Sequence, residues 1–361
     1  MSRLTGYRVD NQSINEEFRH NTGPADTRPF SERLEEQMRV QVLASNEEEM
    51  TFDLTGVDAA VANALRRIMI AEVPTMAIEH VYIEMNSSII HDEVLAHRLG
   101  LVPIKVDPRA FDFKEEGGDT TSANTLVFSL DVTCVNNPEG AEALPDLQPG
   151  KAAYTMPVYT SHLVWCPQGD QEERFGGLDG VRPVFEDILL AKLRPGQSIK
   201  LECHCQKGVG KDHAKFSPVA TASYRLLPEI KLKRPLSREE SQELVEMCPM
   251  KVFDLEDTPG GGVVAAVARP RDCTVCRECI RKEGWTEKVR LGRAADHFIF
   301  KVESAGMLTP PEIFREALGI LRTKCDALLE ILDHEDGPEG GELAIGAETS
   351  QDDEHIADML S

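Results

Sequence analysis

The most informative helical pattern of apolar positions lies early in the chain, over residues 58–73. Apolar side chains cover almost the whole circumference of this predicted helix, which Pro74 ends. Its polar side chains Asn63, Arg66 and Arg67 are spaced i, i+3 and i+4, so they form one narrow strip. A helix this apolar must be covered on most sides, and we expect it to pack on its own sheet and on another chain.

A second amphipathic helix is predicted near the other end of the chain. Thr309, Pro310 and Glu312 form a capping box with proline at the first helical position. The helix that follows has a broad apolar face, made by Ile313, Ala317, Leu321, Leu328 and Leu332 with Leu318, Cys325 and Leu329 beside them. This face either packs on the chain's own sheet or forms an oligomer interface with the early helix, and the pattern leaves both open.

Alternation of apolar and polar positions predicts strands through the middle of the chain. The predicted strands cover residues 40–43, 50–54, 77–85, 125–134, 154–158, 163–165, 198–205, 220–227 and 263–268. Shorter helices are predicted at residues 92–101 and after Ser237, which forms a capping box with Glu240. Strands in the middle and helices towards both ends indicate an α+β fold.

The net charge limits what the chain can bind by itself. The 361 residues include 39 basic and 62 acidic side chains, which gives a formal charge of −23. This charge repels a phosphate backbone, so direct nucleic-acid binding is disfavoured. Residues 333–361 contain ten carboxylates and no Lys or Arg, which predicts a disordered acidic tail over residues 334–361. Residues 1–36 are predicted to form a disordered N-terminal arm.

The sequence gives no sign of a membrane segment. No run approaches the roughly 18 apolar residues of a membrane span, and the first residues lack the apolar segment of a signal peptide. We therefore expect a reducing compartment, in which the nine cysteines are buried thiols or metal ligands rather than disulfides. Five of them stand singly or within predicted strands and are interpreted as core thiols: Cys134, Cys166, Cys203, Cys205 and Cys325.

The other four cysteines have the spacing of a metal site. Cys273, Cys276 and Cys279 form a C-x2-C-x2-C run, and Cys248 is followed by proline. In ferredoxins with two clusters, the cysteine of a Cys-Pro pair completes the ligands of the cluster held by the other run. The four cysteines therefore predict a [4Fe–4S] cluster in a ferredoxin-like unit, with a structural zinc ion or unmetallated thiols as alternatives. Such a cluster could pass electrons or only stabilise the fold.

A loop at residues 207–218 is notable for three lysines, Lys207, Lys211 and Lys215. Its Gly-Lys pair lacks the earlier glycine and the following Ser or Thr of a phosphate-binding loop, so nucleotide binding is rejected. The loop is either a solvated turn or a docking loop for an acidic or polar partner surface.

Five segments together resemble the alpha-like subunits of multisubunit RNA polymerases. They are residues 58–67, 72–75, 91–104, 210–225 and 300–306. The resemblance covers about residues 39–332 and is closest to the branch shared by eukaryotic RNA polymerases I and III. Relatives in RNA polymerase II carry a cysteine-rich zinc loop, whereas residues 105–124 of this chain contain no cysteine.

The resemblance implies an alpha-like dimerisation domain with an inserted strand-rich domain and a ferredoxin-like insert. The dimerisation domain is expected to comprise residues 37–88, a strand at 226–236, and residues 287–333 with the last helix. The inserted domain is expected at residues 89–225. The ferredoxin-like insert is expected at 237–286, where archaeal members of the family can carry one.

The resemblance also implies a non-catalytic assembly subunit. It would form a heterodimer with a smaller alpha-like subunit and nucleate docking of the two large catalytic subunits. The expected setting is rRNA, 5S rRNA and tRNA transcription in the nucleus, including the nucleolus, without direct nucleic-acid or membrane contact. The expected heterodimer interface comprises Val61, Leu65, Ile68, Ile313, Leu318, Leu321 and Leu328. The residues expected to face the large subunits are Arg66, Arg67, Lys207, Lys211 and Lys215.

Two other functions remain open from the sequence. One is an archaeal-type alpha-like subunit of a single RNA polymerase, although archaeal members are generally shorter and lack an acidic tail. The other is an iron–sulfur protein that transfers or senses electrons, which would need a reversible potential at the four-cysteine site.

Overall fold

The computed structural model describes residues 6–9, 14–18, 30–115, 117–135, 155–176, 180–257 and 262–335. Its α-helices are α1 (Phe30–Gln37), α2 (Ala59–Ala71), α3 (Asp92–Gly100), α4 (Gln171–Phe175), α5 (Arg238–Met247) and α6 (Pro310–Glu335). Its strands are β1 (Gly6–Val9), β2 (Ile14–Phe18), β3 (Arg39–Ser45), β4 (Glu49–Thr55), β5 (Thr75–Asn86), β6 (Ile104–Lys105), β7 (Thr125–Thr133), β8 (Met156–Tyr159), β9 (Val164–Trp165), β10 (Arg182–Pro183), β11 (Leu189–Leu193), β12 (Ser198–Gly208), β13 (Val219–Leu232), β14 (Phe253–Asp257), β15 (Val263–Val267) and β16 (Val289–Ser304).

Two antiparallel four-stranded sheets organise these elements. Sheet A has the strand order β13-β16-β4-β3, and sheet B has the order β5-β12-β7-β9. Two-stranded sheets pair β1 with β2, β6 with β10, β8 with β11 and β14 with β15. The helices lie outside the sheets, so the predicted α+β class is confirmed. None of the helices in the described part of the chain is long and apolar enough to cross a membrane.

The helix starts follow the capping chemistry of the sequence. The Asp58 side chain accepts a hydrogen bond from the backbone N–H of Ala60 at the start of α2. Ser237 and Glu240 form the complete predicted capping box of α5. At α6, Glu312 accepts from the backbone N–H and the hydroxyl of Thr309, at 3.0 and 2.7 Å.

Sheet A is covered on one face by α2 and α6. Phe52 on β4 stacks on Phe300 on β16 with ring centroids 5.0 Å apart, and the ring of Phe314 on α6 lies 4.7 Å from that of Phe52. Leu65 and Ile68 of α2 are buried in the same core. This aromatic contact fixes the first turns of α6 on the sheet.

Sheet B has a core of its own, formed with α3 and the strands around it. Cys203 and Cys205 on β12 point into this core, and burial raises the pKa of Cys203 to about 12. Cys134 is buried as well, while Cys166 is half-buried. The interpretation of Cys325 as a core thiol is wrong, because it lies exposed on α6.

A third core joins α5, β14 and β15 to the far ends of two strands of sheet A. Leu244, Phe253 and Trp285 are buried there. Ile230 of β13 and Leu291 of β16 pack against them. Because β13 and β16 are long enough to reach both cores, the cysteine-bearing insert is carried directly on sheet A.

The predicted domain boundaries stay a prediction, and the pairing of β5 and β13 shows how these two strands lie relative to them. The prediction places residues 37–88 in the dimerisation domain, whereas β5 pairs with β12 in sheet B. It also places residues up to 225 in the inserted domain, whereas β13 begins at Val219 and pairs with β16 in sheet A. The reason is packing, because β5 buries Met76 and Ile78 in the core of sheet B.

The structure describes only part of the two segments that the sequence predicts to be disordered, residues 1–36 and 334–361. The predicted arm at residues 1–36 includes β1, β2 and most of α1. Leu34 of α1 and Met38, just after the helix, pack against the core of sheet A, and composition does not reveal this partial burial. At the other end α6 continues to Glu335, and residues 336–361 of the predicted acidic tail lie outside the described residues.

Candidate subunit interface and cysteine site

The outer half of α6 presents a row of exposed apolar side chains. The helix has 26 residues and is therefore about 39 Å long, but only its first turns lie on sheet A. In this half, residues 323–335, Leu328 is 46 % exposed and Leu332 is 55 % exposed, and Leu329 and Ile331 are exposed as well. Leu318, in the first half of the helix, is also exposed. Side chains of this size and number on one short surface are typical of an unfilled protein contact.

The predicted interface residues divide into three groups by burial. Leu65, Ile68 and Ile313 are buried in the core of sheet A of the same chain. Val61 and Leu321 are half-buried beside that core, and only Leu318 and Leu328 are exposed. The periodicity of a helix shows that a side is buried, but it does not show which chain buries it.

Ion pairs fix the position of α6 against its neighbours, and the sequence patterns did not reveal them. Lys324 donates to Glu72 at the end of α2 at 2.8 Å. Arg109, from the loop after β6, reaches Glu312 and Glu316 on the first turns of α6 at 3.3 Å each. The helix is therefore held on both sides near its start and middle, while its outer half extends past these contacts.

The edge strand β3 was also missed as a candidate contact surface. All seven of its residues are exposed, including the apolar side chains Val40, Val42 and Leu43. Strand β3 pairs with β4 on one side only, so its other edge is open within the described residues. An alternation of apolar residues indicates a strand, but it does not distinguish a central strand from an edge strand.

The lysine loop packs closely against the end of α2. The backbone N–H of Lys211 donates to the carbonyl of Ala71 at 2.7 Å. A Cβ at Gly210 would lie 2.2 Å from the carbonyl oxygen of Ile70, so only glycine allows this approach. The glycine at position 210 is therefore explained by close backbone packing between the loop and the helix, whereas a Cβ at Gly208 would meet the ring of Phe216.

Two of the three lysines point back into the protein. Lys215, whose side chain is 11 % exposed, donates to the carbonyl of Ile78 at 2.9 Å and pairs with Glu79 at 2.5 Å. Lys207 donates to the carbonyl of Phe111 at 2.8 Å, and burial lowers its pKa. In the isolated chain these amines hold neighbouring loops and strands, so they are poorly placed for the predicted docking role.

The arginine strip of α2 lies at the surface as its spacing predicts. Arg66 donates to the side-chain oxygen of Asn63 through Nε at 3.1 Å and Nη2 at 2.8 Å. Arg67 and Lys211 are exposed. These three cations remain candidates for contacts with the large subunits.

The four cysteines predicted as metal ligands line one pocket. Cys248, Cys273, Cys276 and Cys279 surround it together with apolar residues that include Phe253. Burial, and then the nearby thiols of the other three, raise the pKa of Cys279 to about 11. The fold therefore brings two separate sequence segments to one place, as the Cys-Pro spacing predicts.

The backbone around this pocket is strained. Lys251, Val275 and Arg277 have φ of 50°, 56° and 68°, and they are the non-glycine residues with positive φ in the part of the chain that the structure describes. Positive φ is especially unfavourable for a β-branched residue such as Val275. Strain of this kind clusters at sites that bind or react.

Two backbone amides point at cysteine sulfurs in these strained segments. The N–H of Val252 donates to Sγ of Cys248, and the N–H of Val275 donates to Sγ of Cys273, both at 3.4 Å. Hydrogen bonds to sulfur tune iron–sulfur sites. A neutral thiol gains little from such donors, so this arrangement suits negatively charged thiolates.

The structure does not choose between the possible metals. In the described residues no group of three or more His, Cys, Asp or Glu side chains is close enough to hold one metal ion. The [4Fe–4S] cluster, with a structural zinc ion or unmetallated thiols as alternatives, therefore stays a prediction at these four cysteines.

Sequence comparison connects the chain with subunits of RNA polymerases. A model of the RNA polymerase Rpb3/Rpb11 dimerisation domain matches residues 51–325. The DNA-directed RNA polymerases I and III subunit rpac1 of Dictyostelium discoideum is 47% identical over 299 residues, 82% of this chain and 83% of the relative. Subunit RPAC1 of Homo sapiens is 48% identical over 304 residues, 84% of this chain and 86% of the relative. The RNA polymerase II subunit rpb3 of Dictyostelium discoideum is 35% identical over 302 residues, 81% of this chain and 94% of the relative.

The internal contacts of Lys215 predict that its replacement destabilises the fold. Lys215→Ala should cost about 1–3 kcal/mol, because the carbonyl of Ile78 loses a donor and Glu79 loses its partner. The melting temperature of the purified full-length chain should fall by several degrees. Lys192→Ala, at an exposed lysine of β11, is the matched control and should leave it nearly unchanged. An unchanged melting temperature for Lys215→Ala would contradict the internal role.

Proposed function

Because the chain belongs to the RNA polymerase family of the Rpb3/Rpb11 dimerisation domain, we propose that it is the assembly subunit shared by RNA polymerases I and III. It forms a heterodimer with a smaller alpha-like subunit, and this heterodimer is the platform on which the two large subunits dock. Catalysis lies in those large subunits. The identity of 44–48% to subunits of eukaryotic polymerases I and III supports this assignment. An archaeal-type subunit of a single polymerase is not favoured.

The exposed outer half of α6 is the observation that carries the heterodimer proposal. The first turns of α6 are buried against sheet A through Ile313, Phe314 and Ala317. The apolar side chains beyond them, including Leu328, face water in the single chain. Burying a leucine of this kind contributes about 1.5–3 kcal/mol, so several of them supply the centre of a stable contact.

The docking part of the proposal rests on charge. In a chain of formal charge −23, the exposed Arg67 and Lys211 and the half-buried Arg66 place cations along and beside α2. Such a local group attracts acidic side chains of a large partner without favouring nucleic acid as a whole.

A subunit of polymerases I and III acts in the nucleus, including the nucleolus, on the genes for rRNA, 5S rRNA and tRNA.

We further propose that the four cysteines hold a [4Fe–4S] cluster. Cys248 approaches from the end of α5, and Cys273, Cys276 and Cys279 come from the loop after β15. When bound, a cluster would supply a covalent link between these segments and a redox-active centre. The strained backbone and the N–H groups aimed at sulfur support the proposal, because both are expected where thiolates are held for a metal.

The heterodimer proposal predicts that a charge on the outer half of α6 prevents partner binding. Leu328→Glu should weaken binding to the smaller alpha-like subunit at least about 100-fold, because a carboxylate would be desolvated in an apolar contact. The measurement is the affinity of the purified full-length chain for its co-expressed partner. Since Leu328 is exposed, the melting temperature of the free chain should not change.

Thr323→Glu is the matched control for this variant. Thr323 is exposed on the same helix, about 140° around the axis from Leu328, and the substitution introduces the same carboxylate. It should leave the affinity within a few-fold of the wild type. The proposal fails if both variants bind as the wild type does, or if both lose binding equally.

The cluster proposal predicts a defined metal content. The chain purified without oxygen should contain about four irons and four sulfides and absorb near about 400 nm. Cys276→Ser should lose the iron, while Cys325→Ser, which changes an exposed cysteine outside the pocket, should keep it. Zinc in place of iron, or no metal at all, would refute the cluster and leave the heterodimer proposal intact.

A further inference from the structure

A buried carboxylate lies beneath the cysteine site. Asp53 is 2 % exposed and sits on β4 between Phe52 and Leu54. Those neighbours face α2 and α6, so Asp53 points to the opposite face of sheet A. A carboxylate at this depth is stable only when its charge is matched by close hydrogen-bonding partners.

Its main partner comes from the cysteine-bearing insert. Both terminal nitrogens of Arg271 donate to the two carboxylate oxygens of Asp53, Nη1 to Oδ1 at 2.9 Å and Nη2 to Oδ2. Nε2 of His297 on β16 also lies 2.8 Å from Oδ2. The hydrogen bonds from Arg271 hold the pKa of Asp53 below its usual value although burial opposes this, so Asp53 is ionised.

Arg271 stands directly before the cysteine run. It lies in the one-turn 3-10 helix Pro270–Asp272, which packs on β13, and the N–H of Cys273 donates to the carbonyl of Pro270 at 3.2 Å. This turn leads into the loop that contains Cys273, Cys276 and Cys279. The bidentate contact with Asp53 therefore determines where that loop leaves sheet A.

A second arginine fixes the other side of the same turn. Arg269 donates through Nε to the carbonyl of Lys251 at 2.8 Å, and through Nη1 to Asp254 at 2.7 Å. Lys251 follows the Cys248-Pro249 pair and has one of the positive φ angles at the site. Arg269 thus joins the two cysteine segments to each other, whereas Arg271 anchors them to sheet A.

We propose that Asp53 is a positioning residue for the cysteine site, which holds Arg271 and through it the start of the Cys273–Cys279 loop in the geometry that retains metal. The inference rests on the proposed cluster. Groups that orient metal ligands without touching the metal usually change its retention 10–100-fold when they are replaced. Asp53 lies 218 positions from Arg271 in the sequence and has no place in the cysteine motif.

Retention of the cluster measures this role directly. The full-length chain and its Asp53→Asn and Arg271→Gln variants are loaded with iron and sulfide without oxygen, and visible absorption is followed in excess chelator. Both variants should lose the cluster at least about 10-fold faster than the wild type. The double variant should be no faster than the faster single variant, because both changes break one contact.

Two controls separate positioning from general damage to the sheet. Lys301→Met removes the pairs of Lys301 with Glu49 and Glu303 at the exposed surface of sheet A and should change the rate less than about twofold. Hydrogen exchange at Phe298, Phe300 and Val302, which are buried in the core of sheet A, reports unfolding of that sheet, and it should stay slow in every variant. Fast cluster loss together with fast exchange at these three residues would show unfolding and overturn the positioning role.

The remaining outcomes are also decisive. Loss rates within about twofold of the wild type for both Asp53→Asn and Arg271→Gln would overturn the inference while the cluster stands. A wild-type chain that takes up no iron would instead refute the cluster, and the role of Asp53 would fall with it. The wild-type loading measurement separates these two failures before any variant is compared.

Discussion

The contact of Phe314 with Phe52, whose ring is stacked on that of Phe300, is the interaction on which the rest of this structure depends. It joins α6 to two strands that are far apart in the sequence, and it lies in the buried centre of sheet A. Because these rings set the position of the first turns of α6, they also set where its outer half points. The same two strands keep Asp53 on the opposite face, beneath the cysteine-bearing insert. Sheet A thus packs against the apolar side of α6 on one face and holds the ion pair of Asp53 with Arg271 on the other.

Sequence patterns were sufficient for the local elements but not for the surfaces they present. The periods and caps predicted α2, α5 and α6, since these signals depend on residues only a few positions apart. They could not distinguish Leu65, buried in the chain's own core, from Leu328, exposed on the same type of helical face. They also could not show that Lys215 bonds the carbonyl of Ile78, 137 residues away. Burial and partners of this kind arise from tertiary packing, which periodicity does not encode.

The cysteine site shows the same division between motif and context. The Cys-Pro and C-x2-C-x2-C spacings predicted that four thiols from two segments would meet, and the structure places them around one pocket. The strain at Val275 and the contact between Arg271 and Asp53 left no signal in the spacing. The strain at Val275 depends on how the loop closes. The contact between Arg271 and Asp53 depends on how the insert lies against sheet A. The strained backbone and the contact between Arg271 and Asp53 tell more about whether the pocket can hold metal than the number of cysteines does.

Hydrogen exchange of α6 in the free full-length chain and in its heterodimer tests the central claim most directly. In the free chain, the amides of residues 310–317 should already be protected, since Ile313, Phe314 and Ala317 are buried on sheet A. The amides of residues 325–332, beyond the contact of Lys324 with Glu72, should exchange faster and become protected when the smaller alpha-like subunit binds. If residues 325–332 exchange equally in both states while protection appears elsewhere, the outer half of α6 is not the subunit interface.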